Sequence, residues 1–388
     1  MDCWRGNAAG FHSLPSRSVD VDDTRRPMRS SGRVVLVQPA VPTYRTAMFV
    51  ALTGLLRGRL RLIASGEPLL PESQGNSLPL ARVRTYRLPG GLLWQAKIIS
   101  AVCSSATRTV VLPWNTRYLS HWIALLLARA LGKAALVWGH GYSKSESAFR
   151  HSLRSWMARL ASGVVFYDDC TAQQWRARHR GLAVFVCRNG LDQVSIAAAR
   201  AAASVPSSRE RKLVLFCSRL FAENRTEEVI DALCALPDDV RLGIIGDGPH
   251  RGALMEYARR ANVADRVEWH GPVYDEACLA GLFGAALCTV YPANGGLSIV
   301  HAMSYGCPPL IGDDLGRHGP EARFVRDGIN GLLYRSRSVP QLAELIRHLL
   351  KDRELWARLS HAALATASDL DTRKMADSML GAICAVEE

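Results

Sequence analysis

The sequence predicts an α/β chain built as two Rossmann-like, doubly wound domains that face each other across a cleft. Three observations lead to that class. From residue 33 onward, short β-branched runs alternate with longer segments of helical apolar spacing. The short runs are apolar on both faces, as strands of a parallel sheet are when helices cover both sides. The rhythm breaks once, over residues 192–212 (DQVSIAAARAAASVPSSRERK), and then restarts. A length of 388 residues also suits two cores better than one.

Residues 1–33 mix Ser, Arg, Asp and Gly without an apolar h-region, so they predict a disordered tail rather than a secretory signal. In the first domain, residues 34–195, VVLVQPA (34–40) is a buried strand running into a Pro-rich loop, residues 47–56 are a helix, and LRLIAS (60–65) is a second strand. RTVVLPW (108–114), AALVWGHG (134–141), GVVFYDD (163–169) and AVFVCRNG (183–190) continue the sheet. Residues 196–211 form the linker. The second domain, residues 212–370, carries strand-to-loop units at KLVLFCSRL (212–220), VRLGIIGDGP (240–249), VEWHG (267–271), LCTVYPA (287–293) and PPLIGD (308–313). Helices are expected over 340–350, 354–368 and 372–386. The last of these, within 371–388, is expected to pack back on the first domain.

Net charge is +13, and it is unevenly placed. Residues 34–190 hold 20 Lys/Arg against 5 Asp/Glu, whereas residues 191–388 are net −4. A basic first half calls for an anionic partner such as a phospholipid surface or a phosphorylated acceptor. Nucleic acid fits less well, since the basic residues alternate with apolar strands instead of lining an aromatic platform. The 10 cysteines stand singly, without metal-ligand spacing, and several lie in apolar runs; a reducing compartment is expected and a metal site is not. The longest apolar stretch, 122–138, is broken by Arg129, Gly132 and Lys133, too early for a membrane span.

The most informative stretch is YPANGGLSIVHAMSYGCPPLIG (291–312). A strand ends at Tyr291, a Gly-rich turn follows, and a helix opens near Leu297. Amides at such a helix start have no carbonyl to meet and sit at the positive end of the dipole, which suits diphosphate oxygens. Gly295 and Gly296 let the backbone approach them without a Cβ in the way.

Four segments now line up in order. SRLFAENRTEEVIDAL (218–233), IIGDGP (244–249), GGLSIVHAMSYGCPPLI (295–311) and GPEARFVRDGINGLLY (319–334) resemble successive motifs of the nucleotide-sugar glycosyltransferases of the two-Rossmann-domain (GT-B) type, in particular family 4. The first half adds QPAVPTYRTAMFVAL (38–52), VWGHGYSK (137–144) and CRNGLD (187–192). The likeness runs over residues 34–385.

The resemblance implies roles residue by residue. Arg219 stands where the family places its phosphate-binding arginine, and a guanidinium grips two oxygens at once. The family's second cation, a lysine, falls on Asn224, with Arg225 adjacent. His140 matches a first-domain histidine that contacts the donor sugar and helps the transfer; these two, His140 and Arg219, are the expected catalytic residues. Gly246 and Gly248 are expected near the nucleotide, and Asn294, Gly295, Gly296, Leu297, Ser298, His301 and Glu321 around the donor. Tyr44 and Arg45 face the acceptor. Two family glutamates, one for the sugar and one for the ribose, fall on Ala293 and His301, so the sugar-facing carboxylate is replaced by its polar neighbour Asn294 and the ribose is left to an imidazole.

The implied reaction is retaining transfer from a nucleotide sugar to a hydroxyl of a glycan or lipid-linked acceptor, with no metal or other cofactor, since no Asp-x-Asp element appears where a divalent metal would be needed to hold the diphosphate. A peripheral enzyme on the cytoplasmic, inner face of the plasma membrane is expected, held by arginines such as 57/59/61, 82/84/87 and 176/178/180. The missing carboxylates motivate an alternative, a catalytically silent nucleotide-sugar-binding subunit that assists another transferase. An epimerase sharing the two-domain layout is disfavoured, because its dense carboxylate and histidine site has no counterpart.

Overall fold

A computed structural model of the chain describes residues 32–66, 78–142, 147–204 and 211–388. The expected tail (to residue 31), Lys144 and residues 205–210 of the expected linker lie outside them. The first half runs β1 (Arg33–Gln38), α1 (Thr46–Leu55), β2 (Leu60–Ala64), β3 (Leu80–Arg82), β4 (Thr85–Arg87), β5 (Leu93–Gln95), α2 (Ile98–Cys103), β6 (Thr107–Pro113), α3 (Leu119–Ala130), β7 (Ala134–Trp138), α4 (Ala148–Leu160), β8 (Gly163–Phe166), α5 (Asp169–Arg178) and β9 (Val184–Val186). Its parallel sheet has the order β3-β2-β1-β6-β7-β8-β9, while β4 and β5 pair antiparallel as a separate hairpin. Sequence periodicity missed that hairpin: its strands are three residues each, too short to show a period.

Helix α6 (Gln193–Ala202) leads toward the second half, which runs β10 (Leu213–Cys217), α7 (Glu227–Cys234), β11 (Arg241–Ile245), α8 (Arg251–Arg260), β12 (Val267–Gly271), α9 (Glu276–Ala285), β13 (Ala286–Tyr291), α10 (Leu297–Ser304), β14 (Pro309–Gly312), β15 (Leu332–Tyr334), α11 (Val339–Lys351), α12 (Arg353–Ser368) and α13 (Thr372–Glu387). The second sheet is parallel too, in the order β12-β11-β10-β13-β14-β15. Aspartates start many helices by accepting backbone N–H bonds, as Asp168 does from Thr171 at 2.8 Å and Asp352 from Leu355 at 2.8 Å.

Each sheet is covered on both faces. Val35, Val37, Val110 and Val137 point to a core shared with α2, α3 and α4. On the other face Val34, Leu36, Leu62 and Val111 pack with α1 and with Met375, Met379 and Ile383 of α13. Burying a side chain of that size is worth about 1.5–3 kcal/mol, so the last helix is bound firmly to the first lobe. The chain therefore crosses between lobes twice, and the two crossings touch: Leu191 N–H donates to Leu370 O at 3.0 Å and Thr372 N–H to Leu191 O at 3.1 Å. A Cβ on Gly190 would lie 2.4 Å from Leu370 O, so only glycine admits this approach.

Candidate donor and acceptor site

In both sheets the strand order reverses beside the first strand of the lobe, between β1 and β6 and between β10 and β13. Loops that leave the carboxyl ends of strands at such a point diverge and open a crevice, the usual ligand position of doubly wound folds. In the second lobe those two loops are the one carrying Arg219 and the Gly-rich turn at 292–296.

The two loops are joined. Asn224, 2% exposed, donates through Nδ2 to Arg219 O at 2.7 Å, and its Oδ1 accepts from Asn294 Nδ2 at 3.2 Å. Arg225, in the left-handed region at φ 56, donates from Nη2 to Pro292 O at 2.6 Å and pairs through Nε with Glu228 Oε1 at 3.1 Å. These contacts change the expected roles. Asn224 is a buried clip, and Arg225 is a brace already neutralised by a carboxylate. Arg219 itself is exposed and forms no ion pair among the described residues.

Gly246 and Gly248 pack against the Arg219 loop. A Cβ on Gly246 would lie 2.0 Å from Ser218 O, and one on Gly248 2.3 Å from Leu220 O. Their missing side chains make room for the backbone on either side of Arg219.

At the Gly-rich turn, Gly295 N–H donates to Nδ1 of His318, a fully buried residue, at 3.2 Å. That amide is therefore spent inside the protein, contrary to expectation. The remaining donors at the head of α10 are the amides of Gly296, Leu297 and Ser298, whose positions in the first turn leave them without an intrahelical carbonyl. Four residues into α10, His301 Nε2 meets Glu276 Oε2 at 3.0 Å, and Tyr305 Oη donates to the same oxygen at 2.5 Å. Burial works against the Glu276 charge, but the His301 and Tyr305 bonds outweigh it and hold the carboxyl below its ordinary range. His301 thus stands beside a carboxylate on α9 that no sequence spacing linked to it.

First-lobe residues meet this crevice from the opposite side. His140, exposed after β7, has its ring centroid 4.9 Å from Tyr167 and 6.1 Å from Tyr142. Tyr44 is 37% exposed, while Arg45 is buried beneath Tyr167 and Trp138. Side chains also link the lobes here. Asn189 Nδ2 donates to Glu321 Oε1 at 2.5 Å, and Arg323 Nη1 donates to Tyr142 Oη at 3.0 Å with Asp168 3.8 Å from its Nε. Glu321 also stands at the head of α10, where a Cβ on Gly296 would lie 3.8 Å from Oε2. Ala293, by contrast, is 4% exposed and has no polar group to offer. Asn189, Arg323, Tyr142, Asp168, His318 and Glu276 were not singled out from sequence, although Asn189 lies inside CRNGLD, Tyr142 inside VWGHGYSK and Arg323 inside GPEARFVRDGINGLLY.

Burial raises the Glu321 carboxyl above its ordinary 4.5 despite the Asn189 bond. A folded chain that keeps this proton is favoured while both states are protonated, and it loses that advantage as pH climbs from about 4.5 through the folded value. Glu321→Gln does not titrate, so its stability relative to wild type should improve from pH 4 to pH 7 in urea melts. An equal gap at both pH values would contradict the assignment.

Among the described residues, no group of three His, Cys, Asp or Glu side chains is placed to hold a metal ion, and no helix is long and apolar enough to cross a membrane.

Residues 199–365 match the family described as Glycosyl transferases group 1. The chain is 29% identical over 174 residues to a D-inositol 3-phosphate glycosyltransferase of Xylanimonas cellulosilytica, covering 43% of this chain and 41% of that one. It is 32% identical over 158 residues to a GDP-mannose-dependent alpha-(1-6)-phosphatidylinositol monomannoside mannosyltransferase of Mycobacterium tuberculosis, covering 37% and 40%. The chain thus spans less than half the length of the curated relatives it matches. The crystal structure of Anabaena HepE in complex with UDP superposes with a TM-score of 0.71 at 17% identity, over 91% of this chain and 100% of that one. That likeness is one of fold.

Proposed function

We propose, from the match of residues 199–365 to the group 1 glycosyl transferases and the two-lobed fold shared with a UDP-bound neighbour, that the protein transfers a sugar from a nucleotide-sugar donor to a hydroxyl of a glycan or lipid-linked acceptor. The observation that carries this reading is the joining of the Arg219 loop to the Gly-rich turn through Asn224 and Arg225 at the point where the second sheet reverses. A leaving nucleoside diphosphate gains negative charge as the sugar bond breaks. A guanidinium and pre-aligned amides stabilise that charge without rearranging at the moment of reaction.

In this reading Arg219 and the amides of Gly296, Leu297 and Ser298 hold the diphosphate, with no metal required. His140 faces the sugar from the other lobe, and Glu321 supplies the carboxylate that Ala293 lacks. The anomeric configuration is retained, with a diphosphate oxygen taking the acceptor proton, and the lobes close about the paired crossings at 190–193 and 370–372. Curated relatives named for nucleotide-sugar-dependent transfer, and a neighbour crystallised with UDP-glucose, support the donor class. A thermal-shift screen of nucleoside diphosphates and their sugars tests it. The matching diphosphate should raise the melting temperature, and its release on addition of donor and acceptor should follow turnover. Binding without turnover would favour the silent subunit, and no binding would end the donor assignment.

The same proposal places the enzyme on the cytoplasmic face of an anionic membrane. Helix α4 supports it, with Phe149 72% and Trp156 62% exposed beside Arg150 and Arg159, an apolar-and-basic face suited to a lipid interface. Arg59 does not take part, because it pairs with Glu387 of α13 at 3.0 Å. Vesicles containing phosphatidylglycerol should bind the protein at low salt and release it at high salt. Equal binding to phosphatidylcholine vesicles would contradict the charge argument.

A further inference from the structure

Arg45 carries a charge that forms no ion pair among the described residues, the Glu321 carboxyl acting on it only from beyond Asn189. It is 9% exposed, yet its two side-chain hydrogen bonds go to neutral groups, Nη1 to Tyr167 Oη at 3.3 Å and Nη2 to Asn189 Oδ1 at 3.4 Å, and Nε has no partner. Both bonds lie beyond the usual N–H···O range. Three aromatic rings box the guanidinium, with centroids at 4.9 Å for Trp138, 5.3 Å for Tyr167 and 5.7 Å for Tyr44. The nearest carboxylate in this network, Glu321, is one side chain away behind Asn189, which takes it at 2.5 Å. Ring faces offset part of the cost of burying a cation, but a guanidinium of five donors held by two long neutral bonds is a site prepared for an oxyanion.

Its position says which oxyanion. Arg45 follows the loop after β1, at the carboxyl end of the first sheet and across the cleft from the diphosphate cradle. Tyr167 lies against both Arg45 and His140, so a group docked on Arg45 is next to the residue that faces the transferred sugar. Resting on the donor assignment above, we propose that Arg45 binds a phosphate group carried by the acceptor, and so holds a neighbouring hydroxyl toward the donor. A planar fork with Nε and Nη hydrogens on one edge matches two phosphate oxygens. The surplus of positive charge over residues 34–190 favours a doubly charged group over a carboxylate.

The test uses the full chain as wild type, Arg45→Met and Arg219→Ala, titrated calorimetrically with inorganic phosphate, sodium acetate and glycerol. Phosphate is expected to fill two sites in wild type; Arg219→Ala keeps the one at Arg45, and Arg45→Met keeps the donor cradle but binds at the Arg45 site about 10- to 100-fold more weakly, the worth of charge-assisted bonds. Acetate should bind poorly and glycerol not at all. Nucleoside diphosphate should still bind Arg45→Met, so a failure of the donor assignment shows separately. Two wild-type phosphate sites in Arg45→Met, complete loss of phosphate binding in Arg219→Ala, or acetate binding as tightly as phosphate in Arg219→Ala would overturn the proposal. Should Arg45→Met fail to fold, a wild-type crystal soaked in selenate decides. An anomalous peak within hydrogen-bond reach of the Arg45 guanidinium is expected, and selenate found only elsewhere refutes it.

Discussion

Arg219→Ala should lower the rate of nucleoside diphosphate release by about 100- to 1,000-fold, the scale of removing one pre-aligned donor from a site of developing negative charge. The side chain is exposed and forms no ion pair among the described residues, so stability should stay within about 0.5 kcal/mol of wild type. That combination distinguishes a ligand-binding arginine from a structural one. Its backbone belongs to the framework, since Asn224 holds the Arg219 carbonyl at 2.7 Å, but substitution of the side chain leaves that bond in place. If rate and diphosphate affinity survive the substitution, the cradle lies elsewhere. Arg219→Lys should recover only part of the activity, because an ammonium is a point charge and cannot grip two oxygens in a plane.

Gly246→Ala should have a large effect of the opposite kind. The glycine sits at φ 131, where L side chains are strained, and an added Cβ would meet Ser218 O at 2.0 Å. Overpacking and backbone strain each cost on the order of 1–3 kcal/mol, so a loss of about 2–5 kcal/mol is expected in urea denaturation. Diphosphate binding should fall with it, since the carbonyl that must move belongs to the residue before Arg219. Gly252→Ala is the control. It lies in α8 with nothing within 4 Å of its Cβ position, and should leave the protein unchanged or up to about 1 kcal/mol more stable. Equal melting of wild type and Gly246→Ala would show that Gly246 is not in contact with the Arg219 loop in solution.

Both predictions concern loops whose sequence was informative in different degrees. Arg219 stands out because it follows an apolar strand directly, and the Gly-rich turn because a strand, two glycines and an amphipathic helix are consecutive in the chain. Local order of that kind is written in hydrophobic period and turn chemistry, both short-range properties. What Gly246 does was not legible. A glycine after a strand reads alike whether it admits a ligand or a neighbouring carbonyl.

The amino-acid order alone therefore determined the α/β class, the two parallel sheets, the break between them and the strand-end loops that carry Arg219, His140 and the glycine pair. Each follows from patterns a few residues long. Tertiary structure decided which polar groups remain available. Asn189 reaches Glu321 across 132 positions, His318 takes the Gly295 amide across 23, and Glu276 meets His301 across 25. Whether a buried donor or charge is already satisfied depends on groups brought together only when the sheets and their loops pack, and Arg45, left with neutral partners at 3.3 and 3.4 Å, owes its readiness for an anion to that packing.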